Sequence, residues 1–340
     1  MDAAERKMSA DQVAEGSTAA RALWITAPRH AELRAESIAP PGANEACVRT
    51  LFTGLSRGTE RLVFEGGVPE SEQERMRGPC MGGAFPFPVK YGYCAVGEVT
   101  AGPPALVGRR VFALHPHQDV FVIAASQTTP LPDGLPARRA TLTANMETAL
   151  NAIWDSGASA GDRIVVVGAG ALGLMCAYLA ARLPGAEVTV VDIAEDRRPI
   201  VETLGARFAT PKAAPRDADV VLHASASTAG LATALSCAGN QAIVVELSWY
   251  GDREIGAPLG GAFHSKRLRL ISSQVGQLPP ARAPRWTHRR RIQKAMELLR
   301  DDRLDALITD EVAFEALPAA MPRLLAPGAP GLTAAVRYDQ

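Results

Sequence analysis

The chain has 340 residues, 47% of them hydrophobic, which exceeds one typical domain and supplies apolar residues for two cores. Lys plus Arg and Asp plus Glu both total 36, so no net field steers the protein toward nucleic acid or an anionic membrane. No run approaches the roughly 18 to 20 uncharged apolar residues of a membrane span, and the five cysteines form no C-x-x-C pair, which fits a reducing cytoplasm rather than a disulfide framework.

Residues 1–20 mix charges with small residues, lack the apolar core of a signal peptide and read as a loose extension. Residues 21–148 read as a β-rich domain, in which the runs ACVRTLF, CAVGEVT, RRVFAL and DVFVIA alternate with Gly and Pro punctuation. Toward its end, Leu142, Met146, Ala149, Leu150 and Ile153 recur at helical spacing and predict a helix bridging two halves. Residues 149–288 then alternate strand and helix. The strands are RIVVVG, EVTVVD, ADVVLHA and QAIVVEL, with helices over 171–183, 197–204 and 228–238, and a short strand LRLISS follows. Such a succession places the chain in the α/β class, with a doubly wound parallel sheet. Residues 289–340 offer a periodic helix (IQKAMELLRDD), a strand ITDEVAF, another helix and a strand LTAAVRYD, expected to rejoin the first domain.

Gly168, Gly170 and Gly173 form a G-x-G-x-x-G run directly after the strand RIVVV, with Ala171 and Leu172 opening the next helix. That context makes it a dinucleotide fingerprint: a tight turn, close backbone approach to a pyrophosphate, and a helix N-terminus facing the phosphates. Asp192, nineteen residues past Gly173, closes the second strand, where a carboxylate accepts from adenosine ribose hydroxyls and repels a 2′-phosphate. NAD is therefore expected over NADP, although Arg197 and Arg198 are positioned to hold a 2′-phosphate.

The order of β-rich half, bridging helix, Rossmann unit and returning segment resembles the medium-chain dehydrogenase/reductase superfamily. The likeness rests on TGLSRGTERLVFEGGVP (53–69), YGYCAVGEV (91–99), GRRVFAL (108–114), PLPDG (130–134) and GDRIVVVGAGALGL (161–174). It implies a Rossmann domain beside a GroES-like catalytic domain, an alcohol dehydrogenase-like oxidoreductase, and a homodimer. It also implies nicotinamide contacts from the turns bearing Ser248 and Ser273. In zinc members of that superfamily a cysteine ligand stands where this chain has Ser56, and Gly-His-Glu where it has Gly92, Tyr93 and Cys94. The third ligand falls near Ala144 or Asn145, and no four-cysteine lobe fits between Val111 and Pro130, so no zinc is expected. The S-x-G-T-E-R-L run with the Gly-Tyr motif is similar to a zinc-lacking branch that includes the bacteriochlorophyllide hydroxyethyl dehydrogenases. That likeness implies zinc-independent, NAD-linked interconversion of a secondary alcohol and a ketone on a small biosynthetic intermediate.

Without a metal, side chains must stabilise the alkoxide-like charge that develops during hydride transfer. Tyr93 is the candidate donor, suited to act as an acid where nearby cations lower its pKa, and otherwise a core tyrosine; Ser56 can share the hydrogen bond. Thr59 and Glu60 are candidate relays, although Glu60 and Arg61 also read as a surface pair, and Glu147 is a candidate base if the bridging helix faces the cleft. His115, His117 and Asp119 read as a cleft-rim loop, substrate contacts or a proton relay ahead of a metal cluster. Trp249 and Tyr250 fit either the nicotinamide site or burial under a loop, and the basic cluster Arg282 to Arg291 either an anion site or a solvated helix start. Two other functions compete: an NADPH-dependent enone or quinone reductase, and a catalytically silent NAD-binding protein.

Overall fold

The computed structural model describes residues 17–339. Of the extension read over 1–20, residues 1–16 lie outside the described residues, and Thr18 opens β1 (Thr18–Ala27), paired antiparallel with β2 (His30–Ile38). Next come β3 (Glu45–Leu55), α1 (Thr59–Glu65) and the two-residue strands β4 (Gly82–Gly83) and β5 (Val89–Lys90). They are followed by β6 (Ala95–Ala101), β7 (Arg110–Ala113), β8 (Val120–Ala124) and β9 (Thr129–Pro130). One sheet has the order β2-β1-β5-β4; β3 pairs with both β6 and β8 in a second, and β7 and β9 continue that sheet beyond β6. Alternating apolar residues such as Val48, Val99, Val111, Phe121 and Ile123 fill the β-domain interior.

The bridging helix comes in two pieces, α2 (Ala137–Ala140) and α3 (Thr143–Ser156), the second ended by Gly157 at φ 69°. Its buried stripe of Met146, Ala149, Leu150 and Ile153 shares one core with Leu51 and Phe112 of the β domain and with Ile164 and Val166 beyond it. The two halves are thereby welded through α3.

The second half runs β10 (Arg163–Val167), α4 (Ala171–Ala180), β11 (Glu187–Val191), α5 (Arg198–Thr203) and β12 (Arg207–Ala209). It continues through β13 (Ala218–His223), α6 (Thr228–Cys237), β14 (Ala238–Glu246) and β15 (Arg269–Ser272). All pairings are parallel, in the order β12-β11-β10-β13-β14-β15, the doubly wound Rossmann arrangement. Helices cover both faces, so β10 is apolar throughout: Ile164 and Val166 face one core, Val165 and Val167 the other.

The chain then continues through α7 (His288–Leu298), β16 (Ile308–Ala313), α8 (Leu317–Leu324) and β17 (Thr333–Arg337). β17 pairs antiparallel with β3 and so completes the first domain. Arg139 of α2 fastens this return: it is buried, with Nε and Nη2 on the Asp305 carboxylate at 2.7 and 2.5 Å and Nη1 on the Arg300 carbonyl at 3.1 Å. No helix among the described residues is long and apolar enough to cross a membrane.

Gly173 shows how tightly α4 sits on β10, because a Cβ there would lie 1.9 Å from the Gly168 carbonyl oxygen, a backbone atom that cannot swing aside. Gly173→Ala is expected to cost about 1–3 kcal/mol through forced displacement of α4. Thermal unfolding checks this, and an unchanged midpoint would show that the helix shifts freely.

Candidate functional site

In an open parallel sheet, ligands bind outside the carboxyl ends of the strands where the chain crosses from one half to the other, here between β10 and β13. Gly168 (φ 111°) turns back so closely that a Cβ would lie 2.9 Å from both Ala224 C and Ser225 N. Gly170 caps α4 in extended conformation with nothing within 4 Å of where a Cβ would stand, so the turn is open toward solvent. Ala171 and Leu172 begin α4, whose first backbone N–H groups have no partner within the helix. Asp192 directly follows β11; its Oδ2 accepts from Ala169 N–H at 2.5 Å and its Oδ1 from Ala194 N–H at 2.8 Å. Each oxygen keeps a second lone pair for a ribose hydroxyl. Ile193, beside it, is 85% exposed, an apolar face able to cover an adenine.

The arginines weighed for a 2′-phosphate are turned elsewhere. Arg197 donates to the Gly331 carbonyl at 2.8 Å, and Arg198 stacks on the Phe208 ring. Arg57, which follows Ser56, shares that Gly331 carbonyl through Nη1, while its Nη2 is buried without a hydrogen-bond partner. Burial holds the Arg57 guanidinium below its ordinary pKa, and Arg197 adds to the effect. Ser248 and Ser273 lie at the same sheet edge, but their hydroxyls are engaged: Ser248 Oγ accepts from Ala226 N–H and Ser273 Oγ donates to Asp155.

In the β domain, the end of β3 and α1 bring Ser56 and Glu60 together, with the Ser56 N–H donating to Glu60 Oε1 at 2.7 Å. Glu60 is 2% exposed; it is not the surface partner of Arg61 but faces His117, whose Nε2 lies 2.9 Å from Glu60 Oε2. His117 Nδ1 meets Thr53 Oγ1 at 2.6 Å, and that hydroxyl meets the Tyr338 hydroxyl at 3.2 Å. Since a carboxylate only accepts, a consistent assignment has Tyr338 donating to Thr53, Thr53 to His117 Nδ1, and His117 Nε2–H to Glu60. Thr59 opens α1 outside this chain of bonds.

Tyr93 hydrogen-bonds to the Ser56 side chain, and burial raises its hydroxyl well above the usual phenol pKa, with the nearby Glu60 charge adding to the effect. No cation is among the groups that shift it, so it is held as a neutral phenol rather than activated as an acid. Cys94 faces the start of α3 at the Ala144 backbone. Ser56, Tyr93, Ala144 and Asn145 are poor zinc donors, and among the described residues no group of three or more His, Cys, Asp or Glu side chains could hold a metal. The residues weighed as a metal cluster face apart. His115 stacks on Phe121 at 3.7 Å and is pushed down to about 3 by burial, whereas Asp119 pairs with Arg21.

Glu147 does not offer a free base. Its Oε1 accepts from Arg291 Nε at 2.9 Å; burial raises its carboxyl pKa, and Arg291 opposes the rise. Arg291, read with the solvated basic cluster, is instead 2% exposed and also holds Asn151 and the Val275 carbonyl, locking α7 and the segment after β15 onto α3. Neither this pairing nor the buried His223 that ends β13 was singled out from sequence. His223 was visible only as a lone polar residue closing an apolar strand.

No family model matches the chain. Among curated relatives, D-guloside 3-dehydrogenase of Escherichia coli K12 is 25% identical over 327 residues, 87% of this chain and 93% of the relative. An uncharacterized zinc-type alcohol dehydrogenase-like protein of Haemophilus influenzae is 27% identical over 216 residues, 59% of each chain. A solved alcohol dehydrogenase from E. coli CFT073, complexed with NADH, superposes with a TM-score of 0.74 at 16% identity, over 94% of this chain and 99% of that one.

Arg291→Met leaves the Glu147 carboxylate buried without a partner and is expected to destabilise by roughly 3–5 kcal/mol. Adding Glu147→Gln should restore much of that loss in urea titrations. A single variant as stable as the parent would show that the pair does not anchor α7.

Proposed function

We propose that this chain, a medium-chain dehydrogenase/reductase by fold and by its relatives, is a zinc-independent NAD(H)-dependent oxidoreductase that interconverts a secondary alcohol and a ketone on a small molecule. The observation carrying this reading is the pairing of an intact dinucleotide turn with two neutral hydroxyl donors, Ser56 and Tyr93, at the positions that the superfamily resemblance assigns to zinc ligands. The name of D-guloside 3-dehydrogenase supports a secondary hydroxyl as the reacting group. The zinc-type name of the other relative describes that protein, and the donor set here is what sets this chain apart.

Bound NAD supplies a hydride acceptor at its nicotinamide. The open turn at residues 168–173 and the α4 N-terminus take the pyrophosphate, and Asp192 the adenosine ribose. With Arg197 and Arg198 turned away, NAD is favoured over NADP. Tyr93 and Ser56 donate to the substrate oxygen as negative charge gathers on it. In the oxidative direction the carbinol proton passes to the Glu60 carboxylate, backed by His117, Thr53 and Tyr338. The protein works in the cytoplasm, consistent with its five free thiols, and as a homodimer through edge strand β15, where Leu270 is 37% and nearby Leu259 45% exposed.

Fluorescence titration of the metal-stripped protein should give an NADH dissociation constant at least about tenfold below that for NADPH. The reverse preference would favour the enone-reductase reading, and binding of neither would end the dinucleotide reading. With a secondary alcohol as substrate, Tyr93→Phe is expected to lower kcat by roughly 100-fold with NADH affinity unchanged. Turnover close to the parent removes Tyr93 from the mechanism. Activity should persist after chelation, whereas stoichiometric zinc in the active protein would refute zinc independence.

A further inference from the structure

The carboxyl edge of the Rossmann sheet carries a second, half-buried hydrogen-bond network that the mechanism above leaves unused. His223 has no solvent exposure; its Nδ1 lies 2.7 Å from Glu246 Oε2 at the end of β14, and its Nε2 lies 2.7 Å from Ser225 Oγ. Glu246 also accepts from the Tyr250 hydroxyl at 2.9 Å and from Ser248 N–H at 2.8 Å. Burial alone would raise its pKa, but the bonds from His223 and Ser248 hold it below the usual carboxylate value.

With a neutral imidazole, these bonds set the direction of donation. An ionised Glu246 only accepts, so His223 Nδ1 carries the proton and Nε2 accepts from Ser225. The Ser225 hydrogen is thus committed inward and its oxygen is left as an acceptor. One lone pair faces Ser227 Oγ at 3.0 Å, and Ser227 in turn caps α6 by accepting from Gly230 N–H. Gly230 preserves the space: a Cβ there would lie 1.9 Å from Ser225 Oγ and 2.8 Å from His223 Nε2. The other charged group nearby is Arg253, whose guanidinium lies over the Tyr250 ring and reaches toward the Ala226 carbonyl.

The position of Ser225 identifies what its free lone pair meets. Its backbone nitrogen lies against Gly168, across the dinucleotide turn from Asp192. β11 and β12 flank β10 on the Asp192 side, β13 and β14 on the other. A dinucleotide with its pyrophosphate on the turn and its adenosine ribose at Asp192 therefore lays its second ribose over the end of β13.

We propose that Ser225, oriented by His223 and Glu246, accepts a hydrogen bond from a hydroxyl of the nicotinamide-side ribose and so sets how the nicotinamide is presented to Ser56 and Tyr93. This rests on the NAD(H) reading above. His223 and Glu246 act through Ser225 and are positioning residues. A purely structural network would only tie the loop after β14 to β13; Trp249 of that loop packs on the β-domain core, and Gly251 fits tightly against the Gly67 carbonyl.

ADP separates the two cases, because it carries the adenosine ribose and both phosphates but lacks the nicotinamide ribose. Calorimetric titration of the full chain with NADH and with ADP is expected to show Ser225→Ala weakening NADH roughly 5- to 15-fold, with ADP within about twofold of the parent. His223→Gln should reproduce the loss, and the double variant should be no weaker than either single, as befits residues acting as one unit. Equal weakening of both ligands, or NADH affinity untouched in Ser225→Ala, overturns the proposal. A parent protein that binds ADP but not NADH would overturn the NAD(H) reading itself, and this inference with it.

Discussion

Parallel pairing of β10 to β15 sends every strand's carboxyl end to one edge, and the chemistry of the molecule depends on that edge. A parallel strand must be re-entered from the same end, so each βα connection adds another turn to the same row. The Gly168 turn, Asp192, the His223–Ser225 pair, Glu246 and Ser273 thereby come together although more than a hundred residues separate the first from the last. The β domain can address that row only because α3 and the returning β17 hold it in place from both sides in sequence.

Three glutamates, Glu60 and Glu147 buried and Glu246 half-buried, show how differently one residue type is resolved by its surroundings. Each would cost several kcal/mol if left charged and unpaired in the interior. Glu147 is met by Arg291, whose charge is permanent and whose remaining donors are used on Asn151 and a carbonyl, so the pair is a rivet with nothing left to exchange. Glu60 and Glu246 are met by imidazoles, which carry a hydrogen bond through to a second partner: Thr53 and Tyr338 behind His117, Ser225 beyond His223. A rivet serves the fold. A conducting pair extends a carboxylate's influence to a hydroxyl several ångströms away.

Much of this was legible in sequence because periodicity and glycine chemistry are local. The residue run 168–173 follows an apolar strand, and the strands RIVVV, EVTVV and ADVVLH fall where hydrophobic runs predict them. Long-range partnerships were not legible. β1 and β2 were missed individually because β2 alternates Glu32, Arg34 and Glu36 with only Ala31, Leu33 and Ala35, a thin apolar face, and its strand character comes from pairing with β1. Arg291 looked like its solvated neighbours until α3 supplied Glu147, 144 residues away in sequence. Ser56 and Tyr93 were marked as a pair, but the sign of the tyrosine's shift depends first on its burial, which raises the pKa, and then on the nearby charge, which is Glu60 rather than a cation.

That sign constrains the chemistry. In the mechanism proposed here, a phenol with a raised pKa does not give up its proton at neutral pH; it stabilises a developing alkoxide as a donor in a water-poor site, where one such bond is worth about 3–4 kcal/mol. A metal would add several more by acting as a Lewis acid, although the carbinol proton would still need an acceptor. Two hydroxyl donors can match part of that stabilisation only if the proton departs by another route, because a donor that also had to accept the proton would have to ionise against both burial and the Glu60 charge. The buried glutamate beside Ser56 resolves the conflict: its charge keeps Tyr93 a donor, and its carboxylate, toward which His117 donates, is itself the acceptor for the departing proton.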